Sequence, residues 1–245
     1  MTLTLESVGI GDGPGAPLPP VSADASSHTP GVVAVETEAA PTLASLIAGG
    51  RMAPETGRVL IDGVDDAALI RASFALVDTP TVAEPFADLR VEQVVREELV
   101  LAGERGSRGN ARILLDEIGL GEHAATRIKA LPAEARVRLL CELALLRPGV
   151  TGLILTSPER HGGDTARWFD VVLGLADRGI TVLIVAGVAA AERVRSLAEA
   201  RALDPITDPA PAHAAIPDPA PAHAATTAPV VPSLPTTPSP EGDSL

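Results

Sequence analysis

The chain has 245 residues, 46% of them hydrophobic and 21% charged, which suits a folded body with appendages and excludes a wholly disordered chain. A formal net charge of −13 excludes nucleic acid or an anionic lipid surface as the main partner, since both require clustered basic residues. The one cysteine, Cys141, excludes an intrachain disulfide and a cysteine-based metal cluster.

The start, "MTLTLESVG", lacks the basic opening and apolar core of a signal peptide. No apolar run of about 18 residues follows, so nothing is expected to span a membrane and the expected location is cytoplasmic. Residues 9–31, "GIGDGPGAPLPPVSADASSHTPG", are rich in Gly and Pro and read as a loop with a short strand around 21–23. A β-branched strand at 32–35 leads through a short loop into an apolar helix at 42–48, closed by Gly49-Gly50. Strands are predicted at 58–61, before the turn Asp62-Gly63, and at 73–77. Residues 83–135 read as helix and loop throughout, a helical insertion with helices at 91–102 and 109–118. A helix at 132–147, a strand at 151–156, a helix at 165–178, a strand at 180–186 and a helix at 189–202 complete the body. The runs "TGLILT" and "GITVLIVA" are short and wholly apolar, as in strands buried on both faces of a parallel sheet. Strands alternating with helices indicate an α/β fold.

The body is expected to end at residue 203. From Asp204 onward Pro, Ala and Thr dominate, and "DPAPAHAA" occurs at 208–215 and again at 218–225. Regular proline spacing predicts a disordered, polyproline-leaning tail. The tail carries five acids and neither Lys nor Arg, which leaves the body at −8. His213 and His223 occupy matching places in the repeat and read as products of its duplication rather than metal ligands. Aromatics are 2% of the chain, with no Tyr and one Trp, Trp168, so Ala, Val, Leu and Ile must fill the core. Cys141, in "RVRLLCELALL", reads as a buried thiol rather than a nucleophile.

Four stretches in a fixed order resemble the nucleotide-binding domain of ABC transporters over roughly residues 2–190. "AGGRMAPETGRVLIDGVD" is similar to the segment after that family's P-loop helix, and "RASFALVDTPTVAEPFADLRVEQVVREELVLAG" to its Q-loop strand and the start of its helical subdomain. "ALPAEARVRLLCELALLRPGVTGLILTSPE" resembles the signature helix running into the Walker B strand, and "LADRGITVLIVAG" the strand that ends at the switch histidine. The resemblance implies a P-loop NTPase-like α/β fold with a mainly parallel sheet, small N-terminal antiparallel strands and a helical subdomain.

The departures from the family pattern fall on its chemistry. At the P-loop position Glu36, Thr37, Glu38, Ala39, Ala40, Pro41 and Thr42 stand where the pattern needs two more residues, glycines and a Lys-Ser/Thr pair. The glycines let backbone N–H groups turn inward on phosphates, the lysine neutralises them and the hydroxyl holds Mg²⁺. Pro41 has no N–H to give and suits the first turn of a helix. Glu36 and Glu38 are stabilised by the helix dipole but repel a triphosphate. Thr156 and Ser157 replace the Walker B Asp and catalytic Glu, Thr79 the Q-loop glutamine and Gly187 the switch histidine. The signature reads Leu131, Pro132, Ala133, Glu134, Ala135. Pro158 is retained, and Asp164 matches the D-loop Asp.

Other candidates carry less. Leu114-Leu115-Asp116-Glu117 imitates a Walker B string but lies in a helix-like segment ahead of the signature. His161 reads as an exposed loop histidine rather than a relocated catalytic base, and Glu159 as a loop residue rather than a Walker B carboxylate shifted two positions late. The only lysine, Lys129, lies beside the signature. The resemblance therefore implies a non-catalytic pseudo-ATPase with no nucleotide or metal site. Its partner is a membrane permease subunit or another ATP-binding subunit, contacted through roughly 79–130 at the inner face of the membrane, and the chain itself could pair as a dimer. The alternative is an ATP-binding subunit with weak, rearranged Mg-ATP binding, for which Arg51, Arg58, Arg136, Arg138 and Arg160 are the candidate phosphate ligands. A small-molecule enzyme on another α/β fold is the third reading, without a Gly-x-Ser-x-Gly or His-x-x-x-His to support it.

Overall fold

The computed structural model describes residues 1–36 and 38–203; Thr37 and the tail from Asp204, with its two histidines, lie outside the described residues. Two sheets build the body. The first is antiparallel, with strand order β2-β1-β4, formed by β1 (Thr2–Ile10), β2 (Leu18–Ser26) and β4 (Thr56–Ile61). The second is parallel, with order β3-β7-β6-β5, formed by β3 (Gly31–Val35), β5 (Phe74–Val77), β6 (Gly152–Thr156) and β7 (Thr181–Gly187).

Within the stretch expected to be mostly loop, Leu18–Ser26 is instead β2, a nine-residue strand paired with β1. The Gly-Pro run that suggested a loop occupies only the hairpin connection at 11–17, and Pro19 and Pro20 fall in the edge strand β2 at the register shift between the Val8–Val21 and Ile10–Leu18 pairs, where proline is tolerated. The hairpin's partner β4 needs Gly57, because its φ is +73° and a Cβ would run into the Glu6 carbonyl oxygen.

Among the described residues seven α-helices accompany the sheets: α1 (Ala40–Ala48), α2 (Ala67–Ser73), α3 (Val91–Leu101), α4 (Arg108–Glu117), α5 (Ala133–Leu145), α6 (Thr165–Asp177) and α7 (Val188–Leu203). Side-chain oxygens start three of them: Asp66 accepts from the Ala68 and Leu69 N–H groups, Ser107 from Asn110 and Asp164 from Ala166. α2 was not anticipated, although Asp66 before "AALIRAS" is a recognisable N-terminal signal.

Three apolar layers hold the body. α1 fills the space between the antiparallel sheet and one face of the parallel sheet, with Leu3, Leu5, Ile47, Ile61, Ile154 and Leu183 in that layer. The opposite face packs Cys141, Leu153, Trp168, Phe169, Val172 and Ile184 beneath α5, α6 and α7. A third layer, with Val95, Leu115, Ile128, Leu131, Ala135 and Leu139, joins α3, α4 and α5. α5 serves two layers at once, so it ties the helical region to the sheet. Among the described residues no helix is long and apolar enough to cross a membrane.

Candidate functional site

The carboxyl ends of the parallel strands, where open α/β sheets place their ligands, gather most of the positions singled out above. β3 leads through residues 36–39 into α1, whose N-cap, Ala39, offers no side-chain bond and whose first turn contains Pro41. Glu36 and Glu38 are exposed there.

At the end of β6, Thr156 is fully buried and its hydroxyl lies 2.8 Å from those of both Ser45 on α1 and Thr79 beyond β5. Three hydroxyls thus close on one another where the family resemblance places a metal-holding carboxylate. Each hydroxyl can both donate and accept, so the chain satisfies itself without a charge. Ser157 follows in a left-handed conformation (φ 44°), with its N–H donating to the Val185 carbonyl at 2.7 Å. A non-glycine residue held there stores about 1–3 kcal/mol of strain. Asp78, at the end of the neighbouring strand, is left-handed too (φ 56°).

Glu159 turns back from the short helix 158–161 and accepts the Gly187 N–H at 2.7 Å. Its second carboxylate oxygen is buried without a hydrogen-bond partner among the described residues. The shifted carboxylate therefore bridges the ends of β6 and β7, next to the position expected for the switch residue.

Asp78 is the functional-region residue that sequence reasoning missed. It is 2% exposed and is the hub of a charged cluster. Arg136, 3% exposed, donates to both of its oxygens from Nε (2.8 Å) and Nη2 (2.7 Å). Arg160 reaches the same carboxylate at 2.9 Å and the Asp78 carbonyl at 2.7 Å. Glu84 stands 3.1 Å from Arg160 and 3.7 Å from Arg136. Burial alone would raise the Asp78 pKa, but hydrogen bonds from Arg136 and His161, with the charges of Arg136 and Arg160, hold it well below the usual carboxylate range.

This cluster corrects the exposed-loop reading of His161, whose side chain is only 22% exposed. Its Nε2 lies 2.9 Å from Asp78 and 2.8 Å from Arg160 Nε. That nitrogen donates to Asp78 when protonated or accepts from Arg160 when not, one at a time. The cluster also commits Arg136 and Arg160 to Asp78 and Glu84, which already balance their charge, so neither is a good candidate for a phosphate ligand. Arg58 is paired with Glu6 at 2.6 Å and Lys129 with Asp88 at 2.7 Å. Asp78, Glu84 and His161 have ligand atoms close enough to share a metal ion, but two guanidinium groups occupy that space with opposing charge.

The remaining positions serve packing and capping. Leu131, Ala133 and Ala135 are buried at the start of α5, and Glu134 sits 3.6 Å from Arg167. Asp164 caps α6. The Asp116-Glu117 string lies in α4, as its helical pattern predicts. Cys141 is fully buried, and that burial, with the charges of Glu142 and Asp78, pushes its thiol pKa far up.

Beside the Asp78 cluster a groove of about 310 Å³ opens between the end of β5, the 82–89 loop and the α3 and α5 helices. Leu76 and Leu143 lie along its floor, and Glu84, Glu97, Glu98 and Arg147 add charge. Phe86 is 81% exposed and Val82 48% exposed at its mouth.

No family model matches the sequence, and no curated protein matches it. Solved structures do share the fold. The ATP-binding subunit of an ABC transporter aligns with a TM-score of 0.51 and 18% identity, over 79% of this chain and 83% of that one. A bacterial ABC transporter cassette, solved as a dimer, aligns with a TM-score of 0.53 and 17% identity over 78% and 90%. A nucleotide-free ATP-binding cassette from an ABC transporter gives 0.53 and 16% over 78% and 83%. The fold is that of an ABC nucleotide-binding cassette, α/β and P-loop NTPase-like.

Proposed function

We propose that this chain is an ABC-cassette-like subunit that neither binds nor hydrolyses ATP and works as a protein-binding component. The observation that carries the reading is the hydroxyl chain Ser45–Thr156–Thr79. A Mg²⁺ site needs hard oxygen ligands with charge, and those three neutral groups are spent on one another. At the head of α1, Pro41, Glu36 and Glu38 offer a triphosphate neither a glycine cradle nor a cation. The partner surface is the groove beside Asp78, where Phe86 and Val82 are exposed. The resemblance supports a permease subunit or a second ATP-binding subunit as its occupant, at the inner face of a membrane.

A photo-crosslinker placed at Phe86 in the full chain tests the docking half. A permease or cassette polypeptide joined from position 86 and not from Arg105 supports the reading. Equal yields from both positions would overturn it. Radioactive ATP tests the other half, with release of phosphate no faster than in buffer as the expected result.

One observation favours the alternative of residual Mg-ATP binding: the unpartnered oxygen of Glu159, next to Gly187. Under that reading a cation sits on Glu159, and Glu159→Gln abolishes an ATP effect that the native chain shows.

A further inference from the structure

A second cavity lies at the far end of α1, about 13 Å from the β3–α1 loop along the nine residues of that helix. It measures about 390 Å³ and is bounded by the end of α1, the turn that follows it, α2 and β4. We propose that this cavity binds a small organic anion, a carboxylate or phosphate ester with a short aliphatic body, between Arg51 and Arg71 and against Met52, Ala53 and Pro54. This inference is independent of the function proposed above.

Both guanidinium groups are held by backbone. Arg51 donates from Nη1 to the Gly49 carbonyl at 2.7 Å and from Nη2 to the Phe74 carbonyl at 3.1 Å. Arg71 donates from Nη1 to the Gly50 carbonyl at 2.7 Å. These bonds fix the two side chains and satisfy carbonyls left over at the C-terminal end of α1. They do not use up the donors, since a guanidinium has a fork of N–H groups and the rest have no partner among the described residues.

The charge here runs against the chain as a whole. Among the described residues neither arginine has a carboxylate within salt-bridge distance, in a protein of net charge −13 that pairs Arg58, Arg127, Arg147, Arg160 and Arg178 with acids. Burial at the Arg51 anchor, followed by the charges of Arg147 and Arg71, lowers the Arg51 pKa, so its own neighbours disfavour its charge. Asp65 also lines the cavity, but it acts on Arg58, at the end already balanced by Glu6. The Arg51–Arg71 end is left positive. Arg forks suit carboxylate and phosphate oxygens in two-point contact. Met52, 38% exposed, lines the cavity with Ala53 and Pro54 and gives a ligand's hydrocarbon part apolar surface to cover.

The test is calorimetric titration of the full chain with hexanoate, hexyl phosphate, inorganic phosphate and hexanol. Saturable binding of either hexyl anion is expected, with hexanol weaker by at least about tenfold. The two anions distinguish a carboxylate from a phosphate ester, and inorganic phosphate measures the charge without the body. Arg71→Gln should weaken the preferred anion about tenfold, while Arg105→Gln, on an exposed loop remote from the cavity, leaves it unchanged. If Arg51→Gln misfolds, arginine side-chain NMR of the native chain reads the same contact, as ligand-dependent shifts of the Arg51 and Arg71 Nε signals. Absence of saturable anion binding, hexanol binding as well as hexanoate, or an Arg71→Gln chain that binds unchanged would each overturn the proposal.

Discussion

Asp78→Asn isolates the charged cluster with almost no change of shape. The carboxylate it removes is the counter-ion of Arg136, whose side chain is 4% exposed, and of Arg160 at 22%. Breaking a buried pair from one side costs about 3–5 kcal/mol, because the surviving charge stays buried. Glu84, at 3.7 Å from Arg136, takes up part of that charge and places the expected loss near the lower end. For a body of this size each kcal/mol moves the midpoint by about 2–4 °C, so a fall of about 6–12 °C is expected. The sign of the pH dependence follows from a folded pKa depressed below the unfolded one. The Asp78 contribution is fully present above the ordinary carboxylate range and is lost as pH falls toward the folded value. The gap between the native chain and Asp78→Asn should therefore narrow below about pH 4. Circular dichroism melts at neutral and acid pH measure it. A loss under about 1 kcal/mol at neutral pH, or a gap that acid leaves unchanged, would refute the account of Asp78 as the hub.

Thr156→Val removes the middle hydroxyl and leaves Ser45 and Thr79 buried without their partner; urea unfolding should show a loss of about 1–3 kcal/mol. Phe86→Ala, at an 81% exposed position, should leave stability within about 0.5 kcal/mol while weakening pull-down of the docked subunit. Cys141 should resist a thiol reagent in the native chain and react at the rate of unfolding in denaturant, since burial keeps the thiol protonated and covered.

The parallel sheet was legible because its strands are continuous β-branched and aliphatic runs bounded by turn residues, and β3, β6 and β7 fall where those runs lie. β1 and β2 were obscured by composition. Pro19, Pro20 and the surrounding glycines suggest loop, yet an edge strand tolerates them. The places of Thr156 and Gly187 at the ends of β6 and β7, and of Thr79 just beyond β5, were legible from the apolar runs that precede them. That the hydroxyls of Thr156 and Thr79 would join that of Ser45 was not, because Ser45 is 111 residues from Thr156 and nothing local links them. Asp78 was missed for the same reason. Its partners Arg136 and Arg160 are 58 and 82 residues away, and one Asp before a Thr-Pro carries no local sign of burial. The arginines singled out for phosphate were read by type, and it is tertiary pairing with Asp78 that redirects two of them.

The central claim, a cassette fold without its nucleotide chemistry, is tested most directly by thermal unfolding of the native chain in about 5 mM Mg-ATP, with AMP and inorganic phosphate as controls. A ligand at about 100 times its Kd would add about 2.7 kcal/mol and raise the midpoint by about 5–11 °C. The account predicts no rise with ATP beyond that with inorganic phosphate. A saturable rise with ATP but not AMP, persisting in Arg71→Gln and lost in Glu159→Gln, would contradict it and place a nucleotide at the strand ends.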